Sequence, residues 1–229
     1  VDNCIIFFKK NEPNWIEVAE LKNDEFNTLG QVKSDFFGEN PTFSFPMIRY
    51  KNVLQTVNKV NQYPILKRDN IASVKAGIKV YETGKGKPSQ SITDKENKVF
   101  HSNMKIDDTW RKWLEGADVN RYYLNWSGQY VKYGENLAAK RDTKIFDNPR
   151  ILVRQIPTNK SYAMNAMLVK DDIINGESAL IITDIRVNPL YLLSLINSKL
   201  ITIWFIVKFD KFSRGLFPRL VLNELGRFP

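Results

Sequence analysis

An α+β fold with mixed or antiparallel sheets and packed helices is what this sequence predicts, on three observations. Short apolar runs are separated by polar turns, one long apolar segment comes late, and strands do not alternate with helices as they do in βαβ folds. The runs at residues 4–8 and 15–21 flank the polar turn Lys9-Lys10-Asn11-Glu12-Pro13-Asn14, so a hairpin is expected there. Residues 23–46 are polar and aromatic with little periodicity. Tyr50, Leu54, Val57 and Asn61 fall at helical spacing and predict a short helix over 48–61.

Near residue 70 the character of the chain changes. Residues 71–81 read as a strand entering the loop Thr83-Gly84-Lys85-Gly86-Lys87-Pro88. Asp107 or Asp108 can cap a short helix that puts Trp110, Trp113 and Leu114 on one face, with Gly116 as its stop. Strand-like runs follow at 122–124, 130–133, 151–156, 162–169 and 179–185. Asn188-Pro189 then opens a helix over 190–207, with proline at its favoured first position. That segment is interrupted by Ser194, Asn197, Ser198, Lys199 and Thr202, whereas a membrane span needs about 20 mostly apolar residues. A buried helix is expected instead, with no membrane partner.

Charge is unevenly distributed. The 229 residues carry a formal charge of +9, yet residues 1–70 hold nine basic and nine acidic side chains. Residues 71–229 hold 25 basic against 16 acidic and carry the whole excess, which is the footprint of a polyanion binder. One cysteine, Cys4, excludes an intrachain disulfide and a thiolate metal cluster, and it suits a reducing cytoplasm. A single histidine, His101, rules out a multi-histidine zinc site, and it has no carboxylate, Ser or Cys partner at an interpretable spacing. The start at Val1 shows no signal-peptide pattern and is not Met, so the sequence reads as a piece excised from a longer protein.

The most specific chemistry lies in Arg150-Ile151-Leu152-Val153-Arg154-Gln155-Ile156, a buried-strand pattern carrying two arginines and a glutamine. A charge inside such a run needs a partner or a groove. Arg and Gln are the planar, multi-donor side chains that read guanine and adenine edges; an arginine paired to a core carboxylate is the competing interpretation. The lysines of the Gly84–Lys87 stretch fit phosphate contacts, which need charge without strict geometry, as well as they fit a simple exposed turn. Asn40-Pro41-Thr42-Phe43 approaches the Asn-Pro-Pro-Tyr/Phe motif of amino-group DNA methyltransferases, but no donor loop precedes it and a turn is expected. Glu96-Asn97-Lys98 echoes the end of a metal-dependent nuclease site. Asp94 is too close to supply a separate ligand, which favours a solvated loop.

Five segments, taken in order, resemble the C-terminal specificity domain of TaqI-like adenine-specific DNA methyltransferases, found in type II restriction–modification enzymes. They are Gly77-Ile78-Lys79-Val80-Tyr81 through Pro88, Leu114-Glu115-Gly116-Ala117-Asp118 through Tyr122, Tyr130-Val131-Lys132-Tyr133 through Leu137, Pro149 to Ile156, and Tyr191 to Leu200. Ala117 departs from the basic residue common at that point of the family pattern. The resemblance covers roughly residues 66–229, which sets the expected division at residues 1–65 and 66–229, close to the change in charge; residues 4–10 resemble the last strands of a preceding methyltransferase domain. It implies a target-recognition domain that binds double-stranded DNA without modifying it. The catalytic motif, S-adenosylmethionine and, as a further candidate, Mg would then belong to the upstream part of the parent enzyme. No metal or catalytic residue is assigned to this chain; a nuclease around Glu96 and Lys98, or a structural and protein-binding domain, are the alternatives. Under this reading Arg154 and Gln155, then Arg121 and Tyr133, face base edges. Lys75, Lys79, Lys85, Lys87, Lys132, Lys140 and Arg141 neutralise phosphates. The alternative for Arg121, slightly favoured, is that it pairs with Asp118 and simply holds a turn; Asn197-Ser198-Lys199 is expected to serve helix packing.

Overall fold

The structure, a computed structural model, describes residues 15–33, 51–147, 149–158, 161–209 and 218–229. These fall into two compact units, one drawn from residues 15–62 with 203–209 and the other from 63–202 with 218–229.

In the first unit, β1 (Trp15–Lys22) pairs antiparallel with β2 (Glu25–Lys33) through the two-residue turn Asn23-Asp24. Both turn residues have positive φ, 51° and 62°, the backbone that matches the twist of a tight hairpin. The expected partner of β1, residues 4–8, lies outside the described residues. Its observed partner is the stretch read as aperiodic, where Asn23-Asp24 was the overlooked turn signal. Helix α1 (Lys51–Val60) forms inside the expected window; Val57 and Val60 are buried, and Asn61 just beyond it accepts a hydrogen bond from Trp204 Nε1 at 2.8 Å.

The second unit contains β3 (Ser73–Ala76), α2 (Ile92–Glu96), β4 (His101–Ser102), β5 (Trp110–Leu114), β6 (Val119–Asn120), β7 (Tyr123–Leu124), β8 (Tyr130–Lys132) and α3 (Lys144–Asp147). It continues with β9 (Arg150–Arg154), β10 (Ala166–Val169), β11 (Ile173–Asn175), β12 (Ala179–Thr183), α4 (Pro189–Ile196), the first turn of α5 (Lys199–Phe209) and α6 (Leu222–Leu225). One sheet is antiparallel in the order β10-β9-β12-β3, and the other is mixed in the order β11-β5-β8-β4. The fold is thus α+β with mixed and antiparallel sheets, as the sequence predicted.

Leu152, Val169, Ala179 and Ile181 of the first sheet share one core cluster with Trp113, Leu114, Val131, Ile173 and Ile174 of the second. All five residues of β12 are buried, so this strand is covered on both faces; α4 packs against β9 and β10. The chain passes from one sheet to the other at Gly77. Ser73–Ala76 pairs with β12, whereas Ile78 already bridges Gly176 beside β11. A Cβ at Gly77 would lie 2.2 Å from the Gly176 carbonyl oxygen, so no other residue fits this crossing.

Two elements differ from expectation. Residues 110–114 are a strand, not a helix. Segment β5 lies between β8 and β11 and hydrogen-bonds to both, and that non-local pairing overrides a local pattern that fits a helical face. The apolar segment 190–207 is two helices, broken at Asn197-Ser198. Asn188 caps the first, its Oδ1 accepting from Leu190 N–H at 2.9 Å, and Pro189 holds the first position as predicted. Asn197 is fully buried and turned aside: its Oδ1 accepts from Ala166 N–H at 3.0 Å, and its Nδ2 donates to Ala166 O at 2.9 Å. The packing role expected of Asn197 is therefore specific, a side chain bonding to the edge of β10. Among the described residues no single helix is long and apolar enough to cross a membrane.

Arg150 is 0 % exposed and pairs with carbonyls, not with a core carboxylate. Nη1 donates to Phe146 O at 2.7 Å and Nη2 donates to Ile173 O, so a β9 side chain bonds to β11 of the other sheet. Burial pulls its pKa down to about 10, still cationic near neutrality, and Asp172 and Asp147 oppose that shift. Removing the guanidinium would leave buried carbonyls without donors. Arg150→Ala should therefore lower unfolding stability by about 2–4 kcal/mol in urea titration, and Arg150→Lys, lacking the fork, should recover little of it.

Candidate nucleic-acid interface

A single buried carboxamide shapes the loop at 83–90. Gln90 Nε2 donates to Val80 O at 2.8 Å and Asn136 O at 2.6 Å, while its Oε1 accepts from Glu82 N–H at 2.8 Å. Gly84 N–H donates to Gln90 O at 2.9 Å and Gln90 N–H to Lys85 O at 2.8 Å, closing the turn. Gly84 and Gly86 sit at φ +83° and +81°, and a Cβ at Gly86 would meet Asn136 O at 2.5 Å. These hydrogen bonds hold the glycine-containing loop in one conformation. Lys85 and Lys87 project from it, exposed and without an ion pair among the described residues. The carboxylates that feel them, Glu82 and Glu135, are bound instead by Lys79 at 2.7 Å and Lys140 at 3.0 Å.

The turn between β6 and β7 is built differently. Tyr122 has φ +72°, a conformation that a bulky residue adopts only when its surroundings impose it. Its N–H donates to Ala166 O at 2.9 Å, anchoring the turn on the edge of β10. Beside it, the Arg121 guanidinium lies 4.2 Å from the Tyr162 ring centroid and 4.7 Å from that of Tyr122. Arg121 Nε donates to Asn197 O at 3.1 Å, and Lys199 Nζ stands 5.3 Å from the Tyr162 ring. The expected Asp118–Arg121 pair does not form: Asp118 accepts from Glu115 N–H at 2.8 Å within its own turn, and burial raises its pKa.

The other sequence-derived positions divide by what already occupies them. Gln155 is 7 % exposed, and its Oε1 accepts from Arg219 Nε at 3.0 Å. Its backbone is tied to Ser178 and Leu220 as well, so the residue that was expected to read bases here links β9 to the C-terminal segment through its Oε1 and its backbone. Tyr133 donates its hydroxyl proton to Arg141 O, and Arg141 Nε donates to Gly77 O at 3.1 Å. With Lys140 Nζ 5.5 Å from the Tyr133 ring, these three side chains form one neighbourhood with Glu135. Arg154 ends β9 half-buried, and its guanidinium has no hydrogen bond or ion pair among the described residues. Lys75 on β3 and Lys132 on β8 are exposed. Arg121 thus belongs to a separate neighbourhood from the Tyr133 group. Sequence reasoning missed Tyr162 and Lys199 as its companions. It also missed Lys112, whose Nζ stands 5.1 Å from the Trp126 ring; separations of up to 41 residues leave no local signal for such contacts.

The two remaining motifs are accounted for differently. Glu96 ends α2 in an exposed position, and the described residues hold no group of three His, Cys, Asp or Glu side chains able to share a metal ion. Residues 40–43 lie outside the described residues. His101 packs edge-on against Trp113 at 5.5 Å, and its Nδ1 is 2.9 Å from the Tyr81 hydroxyl. That hydroxyl also accepts from Phe100 N–H at 2.9 Å.

The chain belongs to the family of TaqI-like C-terminal specificity domains, whose model matches residues 111–229. The resembling segment at 77–88 lies ahead of that match. No curated protein matches the chain. Among solved structures it is similar to the type IIL restriction–modification enzyme MmeI, determined in complex with DNA, with 12% identity and a TM-score of 0.43. That similarity covers 95% of this chain and 29% of the MmeI chain, so the present chain spans under a third of that enzyme's length.

Burial lowers the pKa of His101, with Lys98 adding to the shift and Glu115 opposing it. The folded state therefore resists protonation more than the unfolded chain does, so stability is full above the unfolded value of about 6.5 and declines as pH falls below it. Melting temperature should drop between pH 7 and pH 5, and His101→Phe should flatten that decline.

Proposed function

We propose that the second unit recognises specific sequences in double-stranded DNA, as the specificity region of an adenine-N6 methyltransferase or type II restriction enzyme. The reading rests chiefly on the fixed loop at 83–90, which holds Lys85 and Lys87 outward while neighbouring lysines neutralise the nearby carboxylates. Two ammonium groups kept without anionic partners on an ordered backbone are suited to phosphates, whose contacts set register on a duplex. Lys75 and Lys132 add to the same charge, and Arg154 supplies, at the end of β9, a planar donor with no hydrogen bond or ion pair among the described residues. Membership of the specificity-domain family supports a role in target choice. In this reading the chain is the non-catalytic part of a cytoplasmic enzyme. Methyl transfer from S-adenosylmethionine, and any Mg-dependent step, belong to an upstream domain of the same polypeptide.

The purified chain should bind duplex DNA in fluorescence anisotropy, with affinity falling steeply as salt rises. Lys85→Ala combined with Lys87→Ala should weaken all sequences alike and reduce the slope of log K against log salt by roughly one to two. Absence of binding at low salt, or a slope untouched by the double substitution, would contradict the proposal.

A further inference from the structure

Arg121 is held on three sides and left open at its tip. Two aromatic rings flank the guanidinium, at 4.2 Å and 4.7 Å, and the Asn197 carbonyl fixes Nε at 3.1 Å. Neither terminal nitrogen has a hydrogen-bond partner among the described residues, and neither belongs to the buried unpartnered atoms, so both reach solvent. The turn that creates this arrangement stores strain at Tyr122, and Tyr123 beside it is 59 % exposed. Three supports and a strained residue are more than a phosphate contact requires, since phosphates take charge in almost any geometry. Lys199, 5.3 Å from the Tyr162 ring, already supplies such a charge at this spot. An oriented fork matters where two acceptors lie side by side in one plane, and in the major groove that pattern belongs to guanine, through O6 and N7.

We propose that Arg121 is a specificity-determining residue that reads one guanine of the target through both terminal nitrogens, with Tyr162 and Tyr122 as positioning residues. The proposal rests on the DNA-recognition reading above and adds a base identity to it. Fixing the side chain before binding removes most of the rotamer entropy that a free arginine would lose on contact.

The test selects bound sequences from a random duplex library with the wild-type chain and with Arg121→Lys, which keeps the charge and removes the fork. The expected wild-type consensus contains a guanine that becomes degenerate in Arg121→Lys, with affinity for the consensus falling roughly 5- to 150-fold and the salt slope preserved. Replacing that guanine by 7-deazaguanine should weaken the wild type and leave Arg121→Lys unchanged. Tyr162→Leu keeps the arginine and loosens it, and should lower affinity for the consensus more than for random DNA; this variant decides the matter if Arg121→Lys melts below the working temperature. An unchanged consensus in Arg121→Lys, or a loss spread equally over all sequences, overturns the assignment while leaving DNA recognition intact. Wild-type binding with no consensus at all overturns it too, and no binding removes both proposals together.

Discussion

The guanidinium of Arg150 is the constraint around which the second unit is organised. It sits in the layer between two sheets and bonds carbonyls at Phe146 and Ile173, so a charge in the interior fastens β9 to β11. An isolated buried charge would be strongly unfavourable, and three nearby acidic residues and the carbonyl dipoles offset that here. Apolar packing alone is non-directional and would allow the sheets to slide. A donor with fixed angles restricts them to one arrangement, and the positions of the surface turns follow from it.

Those turns are in turn set by carboxamides taken out of solvent. Gln90 closes the 83–90 loop onto Val80 and Asn136; Asn197 bonds to Ala166 and offers its own carbonyl to Arg121; Gln155 engages Arg219. Asn175, also buried, donates to Gly176 O and Ala179 O at the crossing between sheets. A carboxamide can donate and accept without bearing charge, so it can satisfy irregular backbone where no strand neighbour is available. The result is a set of hydrogen-bonded loops, of which the one at 83–90 carries Lys85 and Lys87 without an ion pair among the described residues.

Much of the fold was legible because strands and caps leave local marks. The α+β class, the helix near residue 50, the Asn188-Pro189 start and the runs at β8, β9 and β12 all follow from apolar spacing and turn residues. The failures share a cause. Residues 110–114 became a strand because β8 and β11 flank them from sequence positions far away, and the 190–207 helix broke because Asn197 is needed by Ala166. Site residues were less legible still. Arg154 and Gln155 are adjacent in sequence, yet one is left unoccupied and the other is enclosed, a distinction set by Arg219 64 residues away. Arg121 could be named from the family pattern, but its stacking on Tyr162 could not.

The bond pair between Asn197 and Ala166 has a further consequence. Strand β10 is the outer member of its sheet, and an outer strand offers open N–H and C=O groups to any passing chain. At Ala166 the outward amide and carbonyl are taken by the Asn197 carboxamide, with Tyr122 N–H sharing the oxygen. A second polypeptide that tried to extend the sheet at Ala166 would have to displace both. The same contact that steadies the turn therefore also closes this rung of the outer strand to pairing.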